Sequence, residues 1–206
     1  MRRVVTVFRN GVARFALVCA IALTSSLIAT AVWSQSLTWL GGLPGGDGSS
    51  NAWGVSADGS VVVGSAPISL GLVRKLRAFR WTADGGMLNI GLPNGDWSLA
   101  YGVSADGSVV VGRALDANWV WRAFRWENGV IQDLGTLGGD ASAAWNVSAD
   151  GSVVVGGALD ATGQNRAFRW TAEEGMQDLG TLPDGYDSSA WGVSADGSVV
   201  VGVAYN

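Results

Sequence analysis

Short apolar runs separated by glycine-containing turns follow one another from residue 37 to residue 206. The segment Gly-Val-Ser-Ala-Asp-Gly-Ser-Val-Val-Val-Gly begins at residues 54, 102 and 192, and a copy with asparagine as its first residue begins at 146. An Asp-Gly pair between β-branched runs is a signal for a β-hairpin. Each copy therefore predicts a strand, a tight turn and a second strand, which cover residues 52–56, 57–59 and 60–64 in the first copy.

Two further segments recur after each of the first three hairpins. Arg-Ala-Phe-Arg-Trp occupies residues 77–81, 122–126 and 166–170, and an apolar segment ending in glycine follows at 87–91, 131–135 and 176–180. Four strands in a period of 44 to 48 residues are typical of the sheets of a β-propeller. The valine runs place apolar side chains on both faces of a sheet, so neighbouring sheets must cover it. We therefore predict an all-β, propeller-like array, with an open β-solenoid as the alternative.

The predicted number of strands does not fill a whole number of sheets. Residues 37–41 resemble the fourth strand of a unit, three full units follow, and two strands come last, which makes 15 strands. The first of these strands could close the last sheet into a four-bladed ring. We favour an open array or a fragment of a longer protein, whose sheet edges are available for self-association.

The N-terminal residues have the pattern of a secretory signal peptide. Four arginines and no acidic residue precede residue 15, residues 15–33 are mostly apolar, and Ala29 and Ala31 fit a cleavage site. We predict a signal helix over residues 1–34 and a repeat domain over 35–206, with no membrane insertion of the mature chain. An uncleaved membrane anchor is the alternative.

Composition excludes several kinds of site. The chain has no histidine, and its one cysteine, Cys19, lies in the predicted signal peptide. Ser-His-Asp and Cys-His catalysis, histidine-ligated zinc and disulfides are therefore excluded. Without residues 1–34 the chain keeps 9 basic and 17 acidic residues, which argues against a nucleic-acid partner. No cofactor is predicted, apart from calcium as an option.

Candidate binding residues lie on one edge of the array, here called the near rim. It carries the loops between strands two and three, at residues 65–76, 113–121 and 157–165, and the loops between units. One group of candidates is acidic: Asp47, Asp96, Asp140 and Asp187. On a propeller they would approach one another and could bind calcium or sugar hydroxyls, although aspartate beside glycine also caps turns. The other group is aromatic and breaks the repeat: Trp97, Trp119, Trp121 and Tyr186. They are candidate ligand anchors, and local packing is the alternative.

Residues that recur in every unit are predicted to be structural. Asp58 and its counterparts Asp106, Asp150 and Asp196 lie in the hairpin turns of the opposite edge, here called the far rim. The repeated arginines, such as Arg80 and Arg125, are expected to contact aspartate or tryptophan between sheets.

The repeated segments resemble the HAF-type extracellular repeat family. That family carries His-Ala-Phe, where this chain has arginine at positions 77, 122 and 166, and its Asp-Leu-Gly-Thr-Leu-Gly-Gly segment is intact at residues 133–139. The resemblance covers residues 37–206. It implies a secreted or surface-exposed bacterial protein, often the passenger of an autotransporter, and it supplies no catalytic residues.

These observations favour a secreted or cell-surface binding or adhesion module without enzymatic activity, whose ligand is a glycan or a protein. The periplasm is the alternative location. A glycan-active propeller enzyme is the alternative function and requires two carboxylates in different environments. A truncated autotransporter passenger is the third hypothesis.

Overall fold

The computed structural model describes residues 36–70, 73–92 and 97–206. Within these ranges the chain forms strands and no helix, and therefore no helix long and apolar enough to cross a membrane. The predicted signal peptide lies outside the described residues. The strands are β1 (Asn51–Val55), β2 (Val61–Leu70), β3 (Val73–Thr82), β4 (Gly86–Asn89), β5 (Ser98–Val103), β6 (Val109–Leu115), β7 (Trp121–Glu127), β8 (Val130–Asp133), β9 (Gly138–Val147), β10 (Val154–Asp160), β11 (Asn165–Thr171), β12 (Gly175–Asp178), β13 (Asp187–Val193) and β14 (Val200–Tyr205).

The strands form three four-stranded antiparallel sheets and one two-stranded sheet. The first three sheets are β1–β4, β5–β8 and β9–β12, each in chain order, and the fourth is β13–β14. The predicted four-stranded repeat is therefore confirmed. Among the described residues, no strand of the fourth sheet pairs with a strand of the first, so no sheet closes the array.

The valine runs of the second strands build the core between the sheets. Val61 and Val63 of the first sheet pack with Val110 and Ala114 of the second. The same arrangement recurs between the second and third sheets. Because successive side chains of a strand point to opposite faces, one valine run contacts both neighbouring sheets. Each fully buried valine contributes roughly 1.5–3 kcal/mol relative to an exposed one.

The hairpin turns of the far rim join the sheets to one another. Ala57 donates its backbone N–H to the carbonyl of Ala105 (3.0 Å), Ala105 donates to Ala149 (2.9 Å), and Ala149 donates to Ala195 (3.0 Å). This series of bonds, here called the alanine ladder, repeats the same contact three times. The ladder fixes the position of each sheet relative to the next one.

The repeated arginines also bridge the sheets, as predicted, although their partner differs. Arg80 donates from Nε to the carbonyl of Gly107 (3.0 Å), and Arg125 donates from Nε to the carbonyl of Gly151 (3.3 Å). The acceptor is a turn carbonyl of the next sheet rather than an aspartate or an indole.

Two local predictions are wrong. The predicted loop at 65–76 is largely strand, because β2 continues to Leu70 and pairs with β3 from Val73 onward. Residues 37–41 form no strand, because among the described residues no strand lies next to them with which they could form backbone hydrogen bonds. Leu40 of this segment is nevertheless buried in a cluster with Val62 and Phe79.

Candidate functional site

The acidic candidates of the near rim have separate local partners. Asp47 is exposed, accepts a hydrogen bond from the Ser49 backbone N–H (2.9 Å) and pairs with Arg74 (3.2 Å). The hydrogen bonds from Ser49 lower the pKa of Asp47. The Asp187 carboxylate accepts a hydrogen bond from the backbone N–H of Asn165 (2.9 Å).

The other two acidic candidates do not complete a ring in the described part of the chain. Asp140 is exposed, and its backbone carbonyl accepts a hydrogen bond from Arg122 (3.1 Å). Asp96 lies outside the described residues. Within the described ranges, no group of three or more aspartate, glutamate, histidine or cysteine residues is placed to hold a metal ion.

Three of the aromatic candidates lie at or near the surface. Trp119 is 66% exposed at the turn between β6 and β7, where its φ of 63° places it in the left-handed region. Such a φ is uncommon for a bulky residue and marks a constrained turn. Tyr186 is about half exposed and stacks on Tyr205 with ring centroids 6.3 Å apart. Trp97 is partly buried, and its carbonyl accepts a hydrogen bond from Leu115.

An aromatic ladder runs along the first strands of the four sheets, which lie next to one another. Its members are Trp53, Tyr101, Trp145 and Trp191, one from each sheet. Their ring centroids are 6.2, 4.9 and 5.6 Å apart in chain order. Trp53 and Trp191 at the two ends are more than half exposed. The inner two rings are therefore packed on both sides, and the outer two are open to solvent.

Arg113 lies against the centre of this ladder. Its guanidinium carbon is 4.3 Å from the centroid of Trp121, 5.9 Å from that of Tyr101 and 5.8 Å from that of Trp145. Distances of this order are those of cation–π contacts. Burial raises the pKa of Tyr101, and the nearby Arg113 opposes that shift. Arg113, Tyr101, Trp121 and Trp145 are here called the arginine cluster.

The arginine cluster contains two buried N–H donors without an acceptor. They are Nε of Arg113 and Nε1 of Trp145, and each is shielded from solvent within a residue that is partly buried. No acidic residue in the described ranges forms an ion pair with Arg113. Buried donors are nearly always satisfied in folded proteins. An acceptor atom at this point, such as a ligand oxygen, would therefore be favourable.

Sequence reasoning identified Trp121 of this cluster and missed the other three residues. Tyr101 and Trp145 lie in the repeated first strands of their units and were not singled out as candidates. Arg113 follows the last glycine of the repeated segment, where the other units have Ser65, Gly157 and Val203. Comparison of the units one residue past the motif would have shown that a cation breaks the repeat there.

A concave surface separate from the arginine cluster lies on the far rim between the second, third and fourth sheets. It has a volume of about 740 Å³ and is lined by acidic and basic side chains, including Arg125, Glu127, Asp150 and Asp196. Hydrogen bonds from Ser148 and Ser152 lower the pKa of Asp150 to about 2, and equivalent bonds act on Asp196. These two carboxylates are therefore ionised at neutral pH and serve as acceptors in turns, as the sequence predicted.

Comparison with known proteins shows which solved structures have a similar fold. No protein-family model matches the chain, and no curated protein sequence matches it. A solved structure assigned as TolB from Agrobacterium tumefaciens is similar, with a TM-score of 0.57 and 19% sequence identity, over 84% of this chain and 60% of that one. A TolB from Acinetobacter baumannii has a TM-score of 0.49 and 13% identity, over 86% of this chain and 47% of that one.

The chain thus spans about three fifths of the length of the Agrobacterium structure. At this level of identity the likeness bears on the fold alone. The chain is an all-β array of four-stranded antiparallel sheets, similar to the TolB β-propeller.

Proposed function

We propose that the chain is a non-enzymatic binding module of an exported bacterial protein, with its ligand site at the arginine cluster on the near rim. The observation that supports this proposal is the environment of the Arg113 guanidinium. It has aromatic rings around it and no acidic partner among the described residues. Removing a charge from water is unfavourable unless it is paired. A carboxylate on the ligand would supply that pairing and accept a hydrogen bond from Nε.

The proposed ligand class is an acidic sugar. Arginine binds carboxylates through paired, charge-assisted hydrogen bonds. Indole and phenol rings offer flat apolar surfaces with a polar edge, which suit the alternating apolar and hydroxyl faces of a sugar ring. Trp119 on the neighbouring turn is exposed and adds a further aromatic surface to the same rim.

The proposal that the protein is exported is based on the signal-peptide pattern of residues 1–34. We place the mature protein outside the cell or on its surface, with the periplasm as the alternative. Membership of the HAF-type family and origin in an autotransporter passenger stay predictions that no comparison tests.

Asp150 and Asp196 in the far-rim cleft do not have the property that a glycosidase requires of its general acid. A glycosidase needs one carboxylic acid whose pKa is raised so that it can donate a proton. Asp150 and Asp196 have pKa values shifted in the opposite direction. The glycan-active enzyme therefore remains the weaker alternative.

The test is a titration of residues 35–206 with D-glucuronate, followed by intrinsic tryptophan fluorescence. We expect saturable quenching with D-glucuronate and none with D-glucose. Arg113→Gln should weaken binding about tenfold or more, because a hydrogen bond to a charged group contributes roughly 1.5–3 kcal/mol.

The matched control is Arg74→Gln, which removes an exposed arginine from the same rim and should leave the affinity unchanged. The proposal fails if glucuronate and glucose give the same response. It also fails if Arg113→Gln binds glucuronate as tightly as the unchanged chain.

A further inference from the structure

The near-rim turns of the second and third sheets, between β6 and β7 and between β10 and β11, have the same backbone. In the second sheet the N–H of Trp119 donates to the carbonyl of Asp116 (3.2 Å), and in the third sheet the N–H of Gly163 donates to that of Asp160 (2.9 Å). In both turns Oδ1 of the aspartate also accepts hydrogen bonds from the backbone N–H groups two and four residues later. Trp119 and Gly163 therefore occupy equivalent positions of one kind of turn.

This turn requires a left-handed backbone at that position. Gly163 has a φ of 82°, and Trp119 has a φ of 63°. Glycine adopts such a conformation without steric cost, whereas the Cβ atom of any other residue makes it unfavourable. The second sheet thus carries a tryptophan at a position where the third sheet has the residue that suits the turn.

The ring of Trp119 does not compensate for this strain by packing. It is 66% exposed, and among the described residues it has no ring stacking or cation–π contact. Strained backbone that brings the fold no packing is a feature of functional positions. The exposed ring of Trp119 therefore favours a contact with another molecule over a role in folding.

Trp119 lies beside the arginine cluster. It precedes Trp121 by two residues, and the Trp121 ring centroid is 4.3 Å from the guanidinium carbon of Arg113. Two residues span at most about 7 Å of backbone, so the two indole rings are close enough for neighbouring units of one sugar chain. In the third sheet the register places Gly157 and Asn165 where the second sheet has Arg113 and Trp121. Of these two turns, only the one beside the arginine cluster carries the strained tryptophan.

We propose that the ligand of the arginine cluster is an acidic oligosaccharide, whose uronic acid pairs with Arg113 and whose adjacent sugar stacks on Trp119. This inference rests on the proposed function and adds a second sugar-binding position to it. The apolar face of the adjacent sugar would remove the exposed indole ring from water, a gain that exists only in the complex. It explains why a residue that strains the free chain stands at this position.

The experiment compares D-glucuronate with cellobiouronate, a disaccharide of D-glucuronate and D-glucose, by calorimetric titration of residues 35–206. We expect cellobiouronate to bind about fivefold or more tightly than D-glucuronate, because tryptophan is among the residues that contribute most at binding sites. Calorimetry is used because its signal does not depend on which tryptophans a variant keeps.

Two variants of Trp119 separate binding from folding. Trp119→Gly should remove the advantage of cellobiouronate over D-glucuronate, and it should be at least as stable in urea as the unchanged chain, since glycine suits the turn. Trp119→Ala also removes the ring but keeps the strained backbone. It should lose the same advantage and be less stable than Trp119→Gly.

The matched control is Gly163→Trp, which places the same residue in the equivalent turn of the third sheet. A Cβ atom on Gly163 would meet nothing within 4 Å, so the ring has room there. We expect this variant to be less stable and to bind both sugars as the unchanged chain does, because Gly157 stands in the place of Arg113 in that sheet.

The possible failures are distinguishable. If neither sugar binds, the proposed function is overturned and this inference with it. If D-glucuronate binds and Arg113→Gln weakens that binding, but cellobiouronate binds no more tightly, this inference alone is overturned. A clear loss of stability in Trp119→Gly would also overturn it, because the ring would then be part of the fold.

Discussion

At the residue scale, one glycine in each hairpin turn sets the turn, and in the second, third and fourth sheets it also packs against a valine of the preceding sheet. Gly59 and Gly107 occupy equivalent positions and have φ values of 72° and 74°. A Cβ atom on Gly59 would meet nothing within 4 Å, whereas one on Gly107 would lie 2.3 Å from Cγ2 of Val61. The two positions thus separate backbone strain from packing between sheets.

We predict that Gly107→Ala destabilises the fold more than Gly59→Ala. A left-handed backbone costs a non-glycine residue roughly 1–2 kcal/mol, and this applies to both variants. Overpacking against the stiff side chain of Val61 adds about 1–3 kcal/mol at Gly107 alone. Urea unfolding of the two variants measures the difference. Equal losses would show that the second sheet does not pack on Val61.

At the element scale, the hairpin turns are held by one serine and one aspartate. In the second sheet, the buried hydroxyl of Ser104 donates to Asp106 (2.6 Å) and accepts from the backbone N–H of Val109 (3.0 Å). Asp106 also accepts from the backbone N–H of Ser108 (3.0 Å). The same pattern recurs in the turns that contain Asp58, Asp150 and Asp196. Every turn therefore depends on an ionised carboxylate.

We predict that acid weakens the fold through these four turns. Hydrogen bonds from the neighbouring serines lower the pKa of each aspartate to about 2, below the value of about 3.9 in an unfolded chain. A lowered pKa means stability that is fully present above pH 4 and is lost as the pH falls towards 2. The free energy of unfolding, measured in urea at several pH values, should decline over that interval.

The control for the acid effect is Asp106→Asn, which keeps a hydrogen-bond acceptor and removes one titrating group. Its stability should be lower at pH 7 and should fall less steeply between pH 4 and pH 2. An unchanged slope would contradict the role given to Asp106.

The sequence predicted those elements whose residues recur in every unit. The Asp-Gly turns and the strands around residues 61–64 and 77–81 are confirmed, because each depends on local turn chemistry and on apolar residues that must be buried. Residues 37–41 were predicted as a strand from their likeness to residues 131–135. They form none, because a strand requires a neighbour and sequence likeness does not supply one.

The candidate site was predictable only in part, for a physical reason. Trp121 was identified because it breaks the repeat. Its partners Tyr101 and Trp145 belong to repeated strands of two different sheets, and only the stacking of those sheets brings them to Arg113. A contact between sheets of this kind has no signature in the local sequence.

At the scale of the whole molecule, the same contact between sheets is repeated and then stops. The alanine ladder runs from Ala57 through Ala105 and Ala149 to Ala195. In the described residues, the N–H of Ala195 has no acceptor of this kind, because no further sheet follows the fourth one. The exposed ring of Trp191 and the open edge of β14 lie on that same last sheet. Within the described residues, the four sheets therefore form an open stack.

The most direct test of that account is residue-resolved amide hydrogen exchange of the four alanines, measured by NMR on residues 35–206. We predict that the N–H groups of Ala57, Ala105 and Ala149 exchange about fivefold or more slowly than that of Ala195, because breaking a hydrogen bond costs roughly 1 kcal/mol or more. Equal protection of Ala195 would show that the stack continues or closes beyond the fourth sheet. Fast exchange at all four alanines would show that the sheets do not stack, and either result would contradict the account.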